Sequence, residues 1–312
     1  MKKVVVTGGF GFVGARLVKH LRAKGLEVVV LEHPGAVVPR GFEDLQVLRA
    51  DIADENSLGA VKLPGVDAVL HLAAQSSGPK SFSIPLVDVR LNIVGTLNTI
   101  NWCVDNQIER MLFASSFVIY GDHPQLEALG EDTPCRPKSV YATSKLAGEH
   151  LLMNYAQPKG IRWNALRMFN VYGPGQDITK PDQGVVGIFM NMLLQRDDVQ
   201  VKGRLDRFRD LIHIDDVVQG WDRCLHASAY NQAFNLGTGD KTTFEGLIRA
   251  VAAVMGKADK VRIEELPGTP GDMMGCVADL ARIRQTLGYS PGFPLSAGLD
   301  SMWRWVQSNR KA

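Results

Sequence analysis

Tyr141 and Lys145 stand four residues apart in a stretch whose apolar spacing predicts a helix, so both project from one face. A phenol with an unperturbed pKa of ~10 is too weakly ionised to act as a base near neutrality, but an ammonium and an oxidised nicotinamide nearby both favour the phenolate. Lys145 can supply the first of these fields. Ser115-Ser116 closes a predicted parallel strand ahead of them, at the carboxyl edge where doubly wound sheets place their ligands. A Tyr-x-x-x-Lys spacing alone equally describes a surface pair.

A second constellation lies near the start. Thr7-Gly8-Gly9-Phe10-Gly11-Phe12-Val13-Gly14 places Gly8, Gly11 and Gly14 between a predicted strand and a predicted helix. Such a turn is too tight for side chains, lets the backbone approach a pyrophosphate, and aims free N–H groups and a helix dipole at the anion. A plain strand-to-helix turn is the other reading. Glu32 ends the second predicted strand, where a carboxylate can accept hydrogen bonds from both adenosine ribose hydroxyls. The same charge repels a 2′-phosphate, and His33 and Pro34 offer no arginine to receive one, which favours NAD over NADP. Asp51, after the third predicted strand, is similarly placed to meet the adenine.

The elements that must position these residues read as βαβ units. Strands are predicted at Lys3–Thr7, Glu27–Leu31, Leu45–Leu48, Ala68–Leu72, Arg110–Ala114 and Arg162–Arg167, with helices at Phe12–Lys24, over Ile84–Asp105, and over Tyr141 to Tyr155. The expected fold is α/β, a Rossmann-type doubly wound parallel sheet with a smaller C-terminal substrate-binding lobe. The division is expected at 1–174 for the NAD-binding domain and 175–312 for the lobe. Helices near Val185–Gln195, Asp215–Ser228 and Phe244–Met255 fall in the second part, and Phe234-Asn235-Leu236-Gly237 reads as a return to the sheet.

Composition narrows the function. The chain has 312 residues, 35 Lys+Arg against 33 Asp+Glu, and a net charge of +2, so it lacks the basic excess by which phosphate-backbone binders release counterions. No nucleic acid partner is expected. No run reaches the ~18–20 apolar residues of a membrane span, and Val4-Val5-Val6 is too short for a signal peptide. Cys103, Cys135, Cys224 and Cys276 show no metal-ligand or disulfide pattern, so no metal and a cytoplasmic location are expected.

The glycine turn, Asp51-Ile52, His71-Leu72-Ala73-Ala74, Ser115-Ser116 ahead of Val118-Ile119-Tyr120-Gly121, YATSK and Arg209-Asp210-Leu211-Ile212-His213-Ile214-Asp215-Asp216-Val217 together span the chain. They resemble the extended short-chain dehydrogenase/reductases, and within them the NAD-dependent nucleotide-sugar epimerase/dehydratase family. The resemblance implies that Tyr141 removes a proton from a sugar hydroxyl while hydride leaves the same carbon. Ser116 would hydrogen-bond that oxygen, and Lys145 would hold the nicotinamide ribose and lower the Tyr141 pKa. It places Gly8, Gly11, Phe12 and Val13 on the pyrophosphate, Glu32 on the ribose, Asp51 and Ile52 on the adenine, and Leu72, Ala73 and Ala74 on the adenosine side. Asn92, Ala114 and Phe169 fall at further cofactor positions. Asn170, Arg209, Asp272 and Cys276 fall on the substrate side, Arg209 against the diphosphate.

The chain also departs from that pattern. Phe117 and Val118 follow Ser116 where dehydratases carry acidic residues and uronate decarboxylases a glutamate, and neither can move a proton. Thr269 stands where many relatives carry an arginine, so either Arg204 or Arg207 compensates or the nucleotide is held differently. Cys276 is expected to leave room for an N-acetyl group, or else to be a small buried residue. The expected activity is 4-epimerisation of a UDP-hexose through a 4-keto intermediate. The alternatives are a 4-keto nucleotide-sugar reductase and, from another class, a dinucleotide sensor without chemistry. The resemblance further implies a homodimer and a place in polysaccharide biosynthesis.

Overall fold

The computed structural model of the chain describes residues 1–123, 128–182, 184–268 and 274–310. In chain order the strands are β1 (Lys3–Thr7), β2 (Glu27–Glu32), β3 (Gln46–Arg49), β4 (Ala68–His71), β5 (Arg110–Ser116), β6 (Arg162–Met168), β7 (Asn170–Tyr172), β8 (Asp198–Lys202), β9 (Phe208–Arg209), β10 (Leu211–His213), β11 (Gln232–Leu236), β12 (Thr242–Thr243) and β13 (Arg262–Leu266). The helices are α1 (Phe12–Ala23), α2 (Glu55–Gly59), α3 (Gly78–Ser83), α4 (Pro85–Asp88), α5 (Gly95–Asp105), α6 (Val140–Leu151), α7 (Val185–Gln195), α8 (Ile214–His226), α9 (Phe244–Val254), α10 (Ala281–Leu287) and α11 (Leu295–Arg310).

Two compact units form. The first comprises Met1–Ile119, Pro137–Arg167 and Val218–Phe234, and the second Tyr120–Arg136, Met168–Val217 and Asn235–Ala312. The contacts thus divide the chain differently from the expected 1–174 and 175–312, because segments far apart in sequence join one core.

The first unit holds a seven-stranded sheet in the order β11-β6-β5-β4-β1-β2-β3, with β1 pairing β2 and β4 in parallel register. The β-branched runs Val4-Val5-Val6 and Val28-Val29-Val30 are buried at every position, the pattern of strands covered on both faces. Trp102, Phe113, Met111 and Ile100 belong to the core of this unit. The second unit centres on Phe189, Met190, Leu247, Ile248 and Met302, with short two-stranded pairs β10-β7, β12-β9 and β13-β8.

One predicted element is corrected. The helix expected over Ile84–Asp105 is three pieces, α4, a π-turn at Val89–Val94, and α5. Asp88 and Asn92, four residues apart on one face, are both buried, and Gly95 lies against Ile52, where a Cβ would meet Ile52 Cδ1 at 2.8 Å. A second π-turn, Leu152–Ala156, follows α6. No helix among the described residues is long and apolar enough to cross a membrane.

Candidate active site

Sequence sets the start of α6 locally. Ser139 is its N-cap and accepts a hydrogen bond from the Ala142 N–H at 3.0 Å, which puts Tyr141 in the first turn and Lys145 one turn later. Farther along, a Cβ on Gly148 would meet the Phe113 ring at 2.4 Å, so the missing side chain lets α6 lie close on β5. β5 runs on to Ser116, two residues past its predicted end. Strand and helix thereby bring Ser116 to Tyr141, and their side chains hydrogen-bond. The Lys145 ammonium lies 5.9 Å from the centre of the Tyr141 ring and 5.0 Å from that of Phe113. The three residues predicted as one group therefore meet.

Burial, aided by the Asp88 charge, pushes the Tyr141 phenol up to about 12 against the Ser116 hydrogen bond. Burial likewise pushes Lys145 down to about 8, with Asp88 opposing. Desolvation disfavours either charged form, and it outweighs the neighbouring dipoles.

The glycine turn is built as tightly as its pattern requires. Gly8 has φ of +68°, and a Cβ on it would meet the Ala73 backbone at 2.8 Å; one on Gly14 would meet the Gly8 carbonyl oxygen at 2.2 Å. α1 begins at Phe12 and Val13 after an N-cap, Gly11, that offers no side-chain hydrogen bond, and its first turn holds no acid. Uncapped N–H groups, the positive end of a helix and no competing carboxylate fit a pyrophosphate. Thr7 Oγ1 accepts the N–H groups of Leu72 and Ala73, both at 3.1 Å, and lies 2.8 Å from His71 Nδ1. It thereby binds the end of β1 to the end of β4, where Leu72, Ala73 and Ala74 follow.

The remaining residues of this side are placed as follows. Glu32 closes β2, and its Oε1 accepts the Phe10 N–H at 2.7 Å, so the carboxylate sits at the glycine turn; burial pushes it up. Asp51 Oδ1 accepts the Ala53 N–H at 2.9 Å. Ile52 and Ala114 are buried, Ile52 as part of the core. Asn92 is buried, and its amide bonds Gln75 N–H at 2.9 Å, Gln75 C=O at 3.0 Å, and Asp88 and Ser144, both at 2.9 Å. Its amide thereby joins the segment after β4, the π-turn and α6.

In the second unit, Phe169 is buried with its N–H on the Leu236 carbonyl, and Asn170 donates from Nδ2 to the Asp210 carbonyl at 3.1 Å. Asp210, fully buried, accepts from Thr238, Gly239 and Ala278, and Asp206 pairs with Arg204. The Arg209 guanidinium lies 5.0 Å from the centre of the Phe244 ring, with Cys276 and Asp122 contributing to its electrostatics, and burial pushes it down to about 10. Cys276 is buried, its thiol pushed up to about 12. Arg204 and Arg207 line one cavity of about 580 Å³ with Glu265 and Met274. Asp272 and Thr269 lie outside the described residues. Among the described residues no group of His, Cys, Asp and Glu could hold a metal ion.

Sequence reasoning overlooked Thr7, Asp88, Ser144, Glu149 and Arg167. Ser144 lies inside YATSK and Thr7 opens the glycine turn, so both were in view; Asp88 and Glu149 looked like ordinary helix acids until burial marked them.

The family model described as the NAD dependent epimerase/dehydratase family matches residues 4–237. A UDP-glucose 4-epimerase of Mycolicibacterium smegmatis is 31% identical over 95% of this chain and 96% of its own. Among solved structures, the UDP-glucose 4-epimerase of Thermotoga maritima with UDP-glucose is similar at a TM-score of 0.91 and 27% identity, over 99% of each chain. That of Thermus thermophilus, in complex with NAD, is similar at 0.86 and 33% identity, over 98% of this chain and 99% of the other.

Proposed function

Because the chain belongs to the NAD-dependent epimerase/dehydratase family, we propose that it is a nucleotide-sugar 4-epimerase acting on a UDP-hexose, glucose and galactose or their N-acetyl forms, with NAD as cofactor. The observation that carries this reading is the meeting of Ser116, Tyr141 and Lys145 at the end of β5. Gly8, Gly11, Phe12 and Val13 would hold the pyrophosphate of NAD, Glu32 its adenosine ribose, and Asp51 with Leu72, Ala73 and Ala74 the adenosine side. When bound, NAD supplies reversible acceptance of hydride.

Tyr141 takes the proton of the sugar 4-hydroxyl and returns it. Ser116 hydrogen-bonds the same oxygen and keeps it aligned with the phenol. Lys145, as the ammonium, stabilises the phenolate during the transfer. Arg209 and Asn170 would hold the nucleotide diphosphate, the guanidinium by paired hydrogen bonds to phosphate oxygens. Phe117 and Val118 bring no acid or base to C5 or C6 of the sugar, which sets the reading against a 4,6-dehydratase.

The reading extends to a homodimer. Phe82 is 67% and Leu86 76% exposed, and Val87, Val94 and Met153 are exposed near them in sequence or on the extension of α6, more apolar surface than a solvated helix face carries. Sedimentation of the purified protein tests this. The reading also places the protein in the cytoplasm, on four cysteines scattered along the sequence without disulfide spacing.

The deciding experiment denatures the purified protein, measures released NAD, and follows anomeric protons of UDP-glucose, UDP-galactose and their N-acetyl forms with the native protein. Interconversion without added cofactor is expected. Absence of both NAD and interconversion would favour a 4-keto reductase.

A further inference from the structure

Asp88 is fully buried, and a buried carboxylate is costly unless its partners repay the loss of water. Its partners converge on the segment between the two residues of the proposed proton transfer. Oδ1 accepts Ser144 Oγ–H at 2.6 Å and Asn92 Nδ2–H at 2.9 Å, and Oδ2 accepts Gln75 Nε2–H. Ser144 lies on α6 directly before Lys145 and three residues after Tyr141. Asn92 lies in the π-turn that follows Asp88, four residues on and so on the same face, and both reach Ser144 of α6.

We propose that Asp88 is a positioning residue for Tyr141 and Lys145: its carboxylate ties α6 to the π-turn through Ser144 and Asn92, and it is the counter-charge to the Lys145 ammonium. This rests on the Ser116, Tyr141 and Lys145 reading above. The groups facing Lys145 are Asp88 from α4, Tyr141 from its own helix, His71 from β4 and the Phe113 ring from β5. Those facing Tyr141 are Ser116, Asp88 and Lys145. His71 is held neutral by burial, so Asp88 is the anion among them.

The sign follows from that arrangement. A carboxylate favours the ammonium and disfavours the phenolate, so it raises both pKa values. Replacing it with a neutral group of the same shape lowers both, and both limbs of a pH profile move to lower pH. Loss of the mechanical tie alone reduces the rate and moves neither limb.

Asp88→Asn removes the charge and Ser144→Ala the tie. In the full NAD-loaded protein, kcat/KM for UDP-glucose is followed against pH, and Lys145 is titrated directly by NMR of ε-13C-lysine, its signal identified by its loss in Lys145→Arg. Asp88→Asn is expected to move both limbs and the Lys145 titration to lower pH by about one unit. Ser144→Ala is expected to lower kcat about tenfold with KM within about twofold, NAD retained and both limbs in place, and Ser144→Thr to recover most of the loss. An unchanged Lys145 titration in Asp88→Asn overturns the electrostatic part, whether or not UDP-glucose proves to be a substrate. Wild-type kcat in Ser144→Ala overturns the positioning part, and that arm stands even if Asp88→Asn fails to fold.

Discussion

Arg167 on β6 grips Glu149 on α6 with Nη2 2.7 Å from Oε2 and Nε 3.0 Å from Oε1, and both side chains are buried. Ser115, the neighbour of Ser116, donates its hydroxyl to the same Glu149 Oε1 at 2.5 Å. Glu149 stands one turn beyond Lys145, so a single carboxylate joins the strand that carries the serine to the helix that carries the tyrosine and lysine. Glu149→Ala would leave a buried guanidinium uncompensated and is expected to cost about 3–5 kcal/mol of stability. Urea denaturation measures it, and Glu149→Gln, which keeps an acceptor, should lose less.

Gly14→Ala would push a methyl group into the Gly8 carbonyl, a backbone atom that cannot step aside. The expected result is protein that retains little NAD on purification. Gly25→Ala is the control. Gly25, unlike Gly14, has positive φ, and a Cβ there meets nothing within 4 Å. It should cost only about 1–2 kcal/mol of backbone strain and leave NAD content at the wild-type level.

His71 links stability to pH. Thr7 Oγ1 accepts two backbone N–H groups, which leaves its own hydrogen for His71 Nδ1, while Nε2 lies 3.3 Å from Thr96 Oγ1. That network suits the neutral ring, and burial pushes its pKa down to about 3. The unfolded chain binds a proton near pH 6.5 that the folded chain refuses, so this contribution is present above 6.5 and is lost as pH falls toward 3. Stability should drop by about 1.4 kcal/mol per pH unit below that point, and His71→Gln should flatten the slope.

Tyr141→Phe should lower kcat/KM by roughly 10²–10⁴ while NAD stays bound, since only the transferable proton is removed. A dinucleotide sensor would show no such loss. In the wild type, with the phenol at about 12 and Lys145 at about 8, the form that pairs a phenolate with the ammonium grows with pH up to about 8 and then levels, so kcat/KM should rise to about pH 8, level off, and fall again toward about 12.

Cys276 is buried and contributes to the electrostatics of Arg209, and its raised pKa keeps it a neutral thiol. If its small volume makes room for an N-acetyl group, Cys276→Tyr should shift the ratio of kcat/KM toward UDP-glucose over UDP-N-acetylglucosamine by about tenfold. Equal selectivity in the variant would retire that role.

The glycine turn, Glu32, Ser116, Tyr141 and Lys145 were legible in the sequence because each is specified by short-range rules: a turn without Cβ atoms, an acid at a strand end, and two side chains one helical turn apart. Strands β1 and β2 were legible as unbroken valine runs, and β4 and β5 as short apolar runs, the pattern of parallel strands buried on both faces. What the tertiary structure decided was which ordinary-looking residues lost their water. Asp88, Glu149 and Arg167 resemble any surface charge in the sequence, and only burial between α6, β5, β6 and the π-turn made them partners. The same cause sets the Tyr141 phenol, whose pKa depends on the balance of burial, Ser116 and Asp88, contributed by segments far apart in the chain. Spacing along a chain reports direction on a helix or strand; desolvation is a property of everything that packs around it.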